Sequence, residues 1–310
     1  MGQDRIDLTV VIAARNAIGT LPAQLDALAA QDPPLRWEVI VADNGSIDGT
    51  RDLVRARAAE WPVLRLVSAD GTVGAGHARN LGAMAAGGRW LAFCDADDVV
   101  GTGWVAALAA ALPDSALVAG RLEWRRLNDV AARRSRALPQ QDSLQSTAPL
   151  DRLWHASASN LAVRAEVFHA LGGFDVAARY LQDTDLCWRA QLSGVPLAFA
   201  PDAVVHMRLR RGLRAAWRQG RNTGTGERWL TARYAGLAPA GSDVPAGPTR
   251  SRIARVRHRA GVVAGQAARI RNRGDLAAWC WDLGFGVGYA RGGLPAPDPY
   301  TAPDRHTSRV

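Results

Sequence analysis

The chain has 310 residues, 48% of them apolar, enough to bury a sizeable core in one large or two modest domains. Its 38 basic residues, all arginine, outweigh 29 acids and leave a net charge of +9, which favours an anionic partner such as phosphate, a lipid headgroup or nucleic acid. Cys94, Cys187 and Cys280 show no CxxC spacing, which argues against a zinc ribbon or a disulfide framework and fits a reducing compartment.

In chain order, "LTVVIAA" (8–14) reads as a buried strand, followed by a helix over 20–31. "WEVIVAD" (37–43) is the next strand, and a helix over 48–61 opens on Asp48, an acid able to cap it. A strand at 63–69, a helix at 74–86 and a strand at 89–94 continue the alternation. That spacing predicts a parallel, doubly wound α/β sheet, in which ligands bind beyond the carboxyl ends of the strands. Asn16, Asp43 and Asp95 all lie at that edge.

Further on, 116–124 reads as a strand and 125–150 as an arginine-rich loop. A helix at 164–175 closes on a glycine pair, another spans 183–194, and 196–207 forms a strand pair or one bent strand. From 208 the chain turns basic and helical, with a Gly/Pro/Ala linker at 235–249 and a helix at 250–273 carrying eight arginines. The stretch 276–293 is aromatic but too glycine-broken to span a bilayer, and 294–310 reads as a disordered tail. The expected organisation is a catalytic domain over 1–207, a basic helical extension over 208–293, and the tail.

The chemistry concentrates in "CDADD" (94–98), where an apolar strand ends in crowded carboxylates. Asp95 and Asp97 can share one hard divalent cation, Mg²⁺ or Mn²⁺, whose remaining positions go to water and substrate phosphates. The alternative is that one acid caps the next helix and the others are solvated. Asp43 precedes an Asn-Gly-Ser turn, and an acid at that edge accepts hydrogen bonds from a base or ribose. The segment "VGAGHARNLG" (73–82) carries Arg79, but the first strand is not followed by GxGxxG, so a dinucleotide fingerprint is rejected.

Taken together and in this order, "TVVIAARN", "VIVADNGSIDGT", "GAGHARNLGAMAAGGRWLAFCDADD" and "GGFDVAARYLQDTDLCWRAQLSG" resemble a family 2 glycosyltransferase of GT-A fold over roughly 7–207. The resemblance implies a Rossmann-like nucleotide-binding sheet, a nucleotide-sugar donor (UDP-, GDP- or dTDP-linked), a divalent cation, a hydroxyl acceptor and inversion at the anomeric carbon. By position it puts Ala13 and Asn16 in the nucleotide pocket, Asp43 on the base and Arg79 near the base or diphosphate. Asp95 and Asp97 match the family's DxD, with Ala96 between them in the donor pocket. The family's catalytic acid pair corresponds to Gln182-Asp183, so glutamine replaces the first acid and Asp183 keeps the base role. His206 falls where a late histidine joins the metal shell; the plainer reading is a packed strand-end histidine. A proline usual at position 13 or 14 is alanine here.

The arginines after 208 suit a segment closing over the donor (Arg210, Arg211 or Arg218), a helical lid packed on the core, or an amphipathic contact with an anionic membrane face. The last fits a lipid-linked or cell-envelope glycan acceptor. No nucleic-acid module accompanies the arginines, so nucleic acid is not expected as a partner. The N-terminus has no signal-peptide pattern and no run of about 18 apolar residues occurs, which predicts a cytoplasmic protein with peripheral contact at the inner face of the plasma membrane. Two other functions share the pattern: nucleotidyl transfer on a similar sheet, and non-catalytic nucleotide or polyanion binding.

Overall fold

Strands β1 (Leu8–Ala14), β2 (Trp37–Asp43), β3 (Leu64–Ser68) and β4 (Trp90–Asp95) run parallel in the order 3-2-1-4. Helices α1 (Leu21–Ala29), α2 (Thr50–Glu60) and α3 (Ala75–Met84) connect them. The structure, a computed structural model, describes residues 6–237 and 270–301. β1 and β2 are buried along nearly their whole length, as expected of strands covered on both faces, so their apolar runs do not alternate with polar residues. α3 lies so close to the sheet that a Cβ on Gly82 would sit 2.5 Å from Val11 Cγ1. Asp48 accepts from the Thr50 amide at 3.1 Å, but Gly49, in the left-handed region, holds the cap position of α2.

The second half differs more from expectation. After β5 (Val99–Val100), α4 (Trp104–Ala111) and β6 (Leu117–Glu123) come a short α5 (Val130–Arg133) and a small hairpin of β7 (Gln145–Ser146) and β8 (Trp154–His155). β9 (Leu161–Arg164) then lies antiparallel between β4 and β6, completing an eight-stranded sheet in the order 3-2-1-4-9-6-10-5. Its four residues run straight into α6 (Ala165–Ala170), too short a stretch to show a period. After α7 (Gln182–Leu192), β10 (Ala198–His206) is one bent strand with a register break between Ala200 and Val204.

The C-terminal helices are α8 (Leu213–Arg233) and α9 (Arg273–Arg291). Trp229, Leu230 and Tyr234 pack with Leu150, Ala178 and Trp188, which ties α8 into the catalytic half. Two of the glycines that interrupt the apolar pattern of α9, Gly284 and Gly288, lie on its docking face, whereas Gly286 meets nothing. A Cβ on Gly220, Gly224, Gly284 or Gly288 would lie 2.0–2.2 Å from a backbone carbonyl oxygen of the other helix, so the backbones touch. Residues 294–301, expected to be disordered, instead pack: the Tyr300 amide donates to Arg233 O at 2.9 Å and its ring lies 5.3 Å from that of Tyr234. The basic helix expected at 250–273 lies outside the described residues up to 269, as do most of the linker and 302–310. Among the described residues no helix is long and apolar enough to cross a membrane.

Substituting Gly284→Leu forces the two helices apart and is expected to cost roughly 1–3 kcal/mol. Chemical denaturation checks this; a wild-type midpoint in the variant would mean the helices are not in backbone contact.

Candidate active site

The switch in strand order between β1 and β4 opens a crevice at their carboxyl ends, and backbone register fixes what lines it. Ala13 pairs with Asp95 and with Ala42, and Ala14 with Asp43, so three expected residues share one edge. The turn after β2 closes when the Ser46 amide donates to Asp43 Oδ2 at 3.1 Å, with Gly45 in the left-handed region. Arg51 Nε donates to the same oxygen at 2.5 Å and also pairs with Asp70. Burial works to raise the Asp43 carboxyl, but hydrogen bonds from Ser46 and Arg51 outweigh it and hold the group below its ordinary range. Oδ1 is left buried without a partner among the described residues, an acceptor open to a donor from a ligand. Asn16, at φ 51°, uses its side chain within the protein: Oδ1 accepts from the Ile47 amide at 2.9 Å, while its own amide donates to Ser46 Oγ at 2.9 Å. It clamps the β1 loop to the β2 loop.

At the end of β4, carboxylate oxygens of Asp95, Asp97 and Asp98 all lie within 4.8 Å of one another. Gln24 is fully buried and shapes this turn, donating to Asp95 O at 3.2 Å and accepting from the Val100 amide at 2.8 Å. Arg79, buried on α3, donates to Asp95 Oδ1 at 2.5 Å and stacks over Phe174. Opposite it, the Arg208 amide donates to Asp98 Oδ1 at 2.7 Å and its Nε to Asp97 O at 2.8 Å. Burial and the Asp95 charge push Asp97 up, against the pull of Arg210 and Arg208. Burial, then Asp95 and Asp97, push Asp98 well above the carboxylate range. Asp98 Oδ2 is buried with no partner. Ala96 is buried within the same turn.

His206 ends β10, opposite Val99 of β5, and its Nδ1 pairs with Glu123 Oε2 at 2.8 Å. Such a contact orients a ring whose other nitrogen binds metal. The mutually close oxygens belong to Asp95, Asp97 and Asp98, and the histidine is not among them.

Asp183 stands in the first turn of α7, where its Oδ2 accepts from the Ala158 amide at 3.0 Å. Gln182 packs on α3, its Oε1 2.7 Å from where a Gly76 Cβ would be. The start of α7 therefore abuts the first turn of the helix that carries Arg79 to Asp95. Behind it, fully buried Asp185 holds Arg189 Nε at 2.8 Å, Arg233 Nε at 3.0 Å and Tyr234 OH at 2.8 Å, locking α7 to α8. Burial lowers His155 to about 4, only partly opposed by the nearby Asp183 charge. Its Nδ1 is 3.3 Å from Thr184 Oγ1, and its Nε2 is buried without a partner. Sequence reasoning missed Gln24, Arg51, Arg208, Asp185 and His155. Only Arg51, eight residues after Asp43 in the next helix, carried a local signal.

The Glycosyl transferase family 2 signature matches residues 9–172. Among solved structures, the mannosyltransferase PcManGT of Pyrobaculum calidifontis, in complex with GDP-Man and Mn²⁺, superposes with a TM-score of 0.63 at 20% identity, over 93% of this chain and 88% of that one. S. aureus TarS in complex with UDP-GlcNAc gives 0.56 at 18% identity, over 73% and 66%. The fold is therefore that of the GT-A glycosyltransferases. Glycosyltransferase AglE of Haloferax volcanii is 29% identical over 202 residues, 64% of this chain and 65% of its own. Succinoglycan biosynthesis protein ExoO of Rhizobium meliloti is 42% identical over 94 residues, 30% of this chain and 26% of its own. The matches thus span from about a quarter to just under two thirds of these relatives. The chain belongs to glycosyl transferase family 2.

His155 makes the site's stability pH-dependent. An unfolded histidine takes up its proton near pH 6.5 and the buried one only near 4, so the unfolded state binds more protons across that window. His155 should therefore lower stability by about 3 kcal/mol as pH falls from 6.5 through 4. Denaturant titrations of wild type and His155→Gln check this: the variant should lose that part of the slope, and parallel profiles would contradict it.

Proposed function

We propose that the protein is an inverting glycosyltransferase that moves a sugar from a nucleoside diphosphate donor to an acceptor hydroxyl, with a divalent cation. The observation that carries the reading is the carboxylate cluster at the β1–β4 switch point, on the same strand-end edge as Asp43, whose Oδ1 is buried without a partner among the described residues. Hard oxygen donors, two carboxyls pushed up by burial and neighbouring like charge, and an Asp98 Oδ2 without a partner among the described residues fit Mg²⁺ or Mn²⁺. Asp97 would hold the ion with Asp95, with His206 completing the set. When bound, the ion neutralises charge growing on the diphosphate leaving group.

The chain's own residues do the rest. Asp43 Oδ1 accepts from an N–H of the base, and Ala13 beside it leaves room for the ring. Asn16 holds the two loops that frame the nucleotide, and Ala96 lines the donor pocket. Arg79 orients Asp95 and places a cation beside the diphosphate. Asp183 takes the proton of the acceptor hydroxyl as it attacks, because a free hydroxyl is too weak a nucleophile near neutral pH. Gln182, neutral where the family pattern has an acid, anchors the start of α7 on Gly76. Relatives named for succinoglycan biosynthesis and as a dolichyl-phosphate beta-glucosyltransferase support a cell-envelope or lipid-linked acceptor, reached from the cytoplasmic face of the membrane.

Release of nucleoside diphosphate from a donor panel with Mn²⁺ tests this. Asp183→Asn should lower turnover by roughly 10²–10⁴-fold with little change in donor affinity. Asp97→Asn should weaken donor binding at least ~10-fold, about 1.4 kcal/mol. Equal turnover in all three proteins, or release of pyrophosphate instead, would refute the assignment.

A further inference from the structure

A cavity of about 360 Å³ opens between α5, the β10–α8 connection and the start of α9. Arg136, Arg210, Arg211 and Arg273 line it against a single acid, Asp129, which Arg211 approaches only to 3.8 Å. Arg136 is half-buried among like charges: burial, then the neighbouring Arg210, lower its pKa. Its Nε donates to Ser135 Oγ at 3.0 Å and its Nη2 to Arg210 O at 3.2 Å, while Nη1 is buried without a partner among the described residues. A guanidinium held near other arginines with an unmet N–H is stabilised by an anion, and phosphate matches its fork.

The lining separates this cavity from the proposed donor site. None of Asp43, Asp95, Asp97 or Asp98 lines it. Yet it is close: Arg208, two residues before the wall residue Arg210, binds Asp97 and Asp98, and the Arg210 charge is felt at Asp97. An anion here would sit beside the donor without replacing its diphosphate. The other walls are apolar, with Ala132, Leu276, Ala277 and Leu213. Leu213 is 42% exposed, Trp217 one turn further along α8 is 40% exposed, and Val130 next to the cavity is 58% exposed. A ligand suited to this lining is charged at one end and apolar along its length.

We propose that this cavity binds the phosphate of a hydroxyl acceptor that carries it on an apolar chain, the chain lying against Leu213 and Trp217. The phosphate is a handle and does not react. The proposal rests on the transferase reading above and names the acceptor class for it.

Isothermal titration with monomeric dodecyl phosphate tests it, in excess chelator so that no bound cation contributes. Inorganic phosphate, dodecyl maltoside and phosphatidylglycerol vesicles are the comparison probes. The wild type should bind dodecyl phosphate at least tenfold more tightly than inorganic phosphate and should ignore the maltoside. Arg136→Gln and Arg273→Gln should each weaken binding at least tenfold. Arg273 is exposed, so its variant keeps the test valid if Arg136→Gln unfolds, and thermal melts identify that case. Unchanged affinity in Arg273→Gln, equal binding of inorganic phosphate or maltoside, or binding to vesicles alone would overturn the proposal. Nucleotide-sugar binding with Mn²⁺ is measured on the same wild-type protein. Donor binding without dodecyl phosphate binding overturns the cavity assignment and leaves the transferase reading standing. Dodecyl phosphate binding without any donor binding sinks the transferase reading, and the acceptor role with it.

Discussion

Mutual repulsion among Asp95, Asp97 and Asp98 governs this end of the molecule. At separations within 4.8 Å, each ionised pair repels by roughly 3–4 kcal/mol at an effective dielectric of about 20. The fold relieves part of this with Arg79 on one side and the Arg208 amide on the other. Burial first, and then these neighbouring like charges, push the Asp97 and Asp98 carboxyls upward. Under the proposed reading, a divalent cation would offset the same repulsion at oxygens the backbone already holds together.

Position follows from register more than from loops. Parallel pairing puts Ala13 opposite Asp95 and Ala14 opposite Asp43, so a nucleotide and its diphosphate would meet the ends of three adjacent strands. The surroundings of Asp183 are built differently. Asp183 is placed by a helix start that rests on α3 through Gln182 and is braced from behind by Asp185 with Arg189, Arg233 and Tyr234. Because Arg233 and Tyr234 come from the end of α8, the C-terminal helices are part of what holds the site rather than an appendage to it.

The parallel half was legible because its strands are short, mostly apolar runs and turn signals precede the helices between them. The placement of Asp43 and Asp95 at one strand-end edge was readable for the same reason: each is the first charge at the end of such a run. β9 was not, since its four residues acquire strand character only by pairing with β4 and β6. The Asp185 network joins residues nearly fifty apart, and no local pattern announces it. Gln24 likewise reads as an ordinary helix position until its side chain is seen holding the Asp95–Val100 turn. In α9, Gly284 and Gly288 read as breaks in an apolar segment, whereas they are where two helix backbones meet.

The account stands or falls on whether one cation links the β4 carboxylates to the donor. Anomalous diffraction from crystals grown with Mn²⁺ and a nucleoside diphosphate measures this directly. The account predicts a single manganese peak within about 2.3 Å of Asp97, in contact with diphosphate oxygen. Ordered nucleotide with no anomalous peak at Asp95, Asp97 or Asp98 would contradict it.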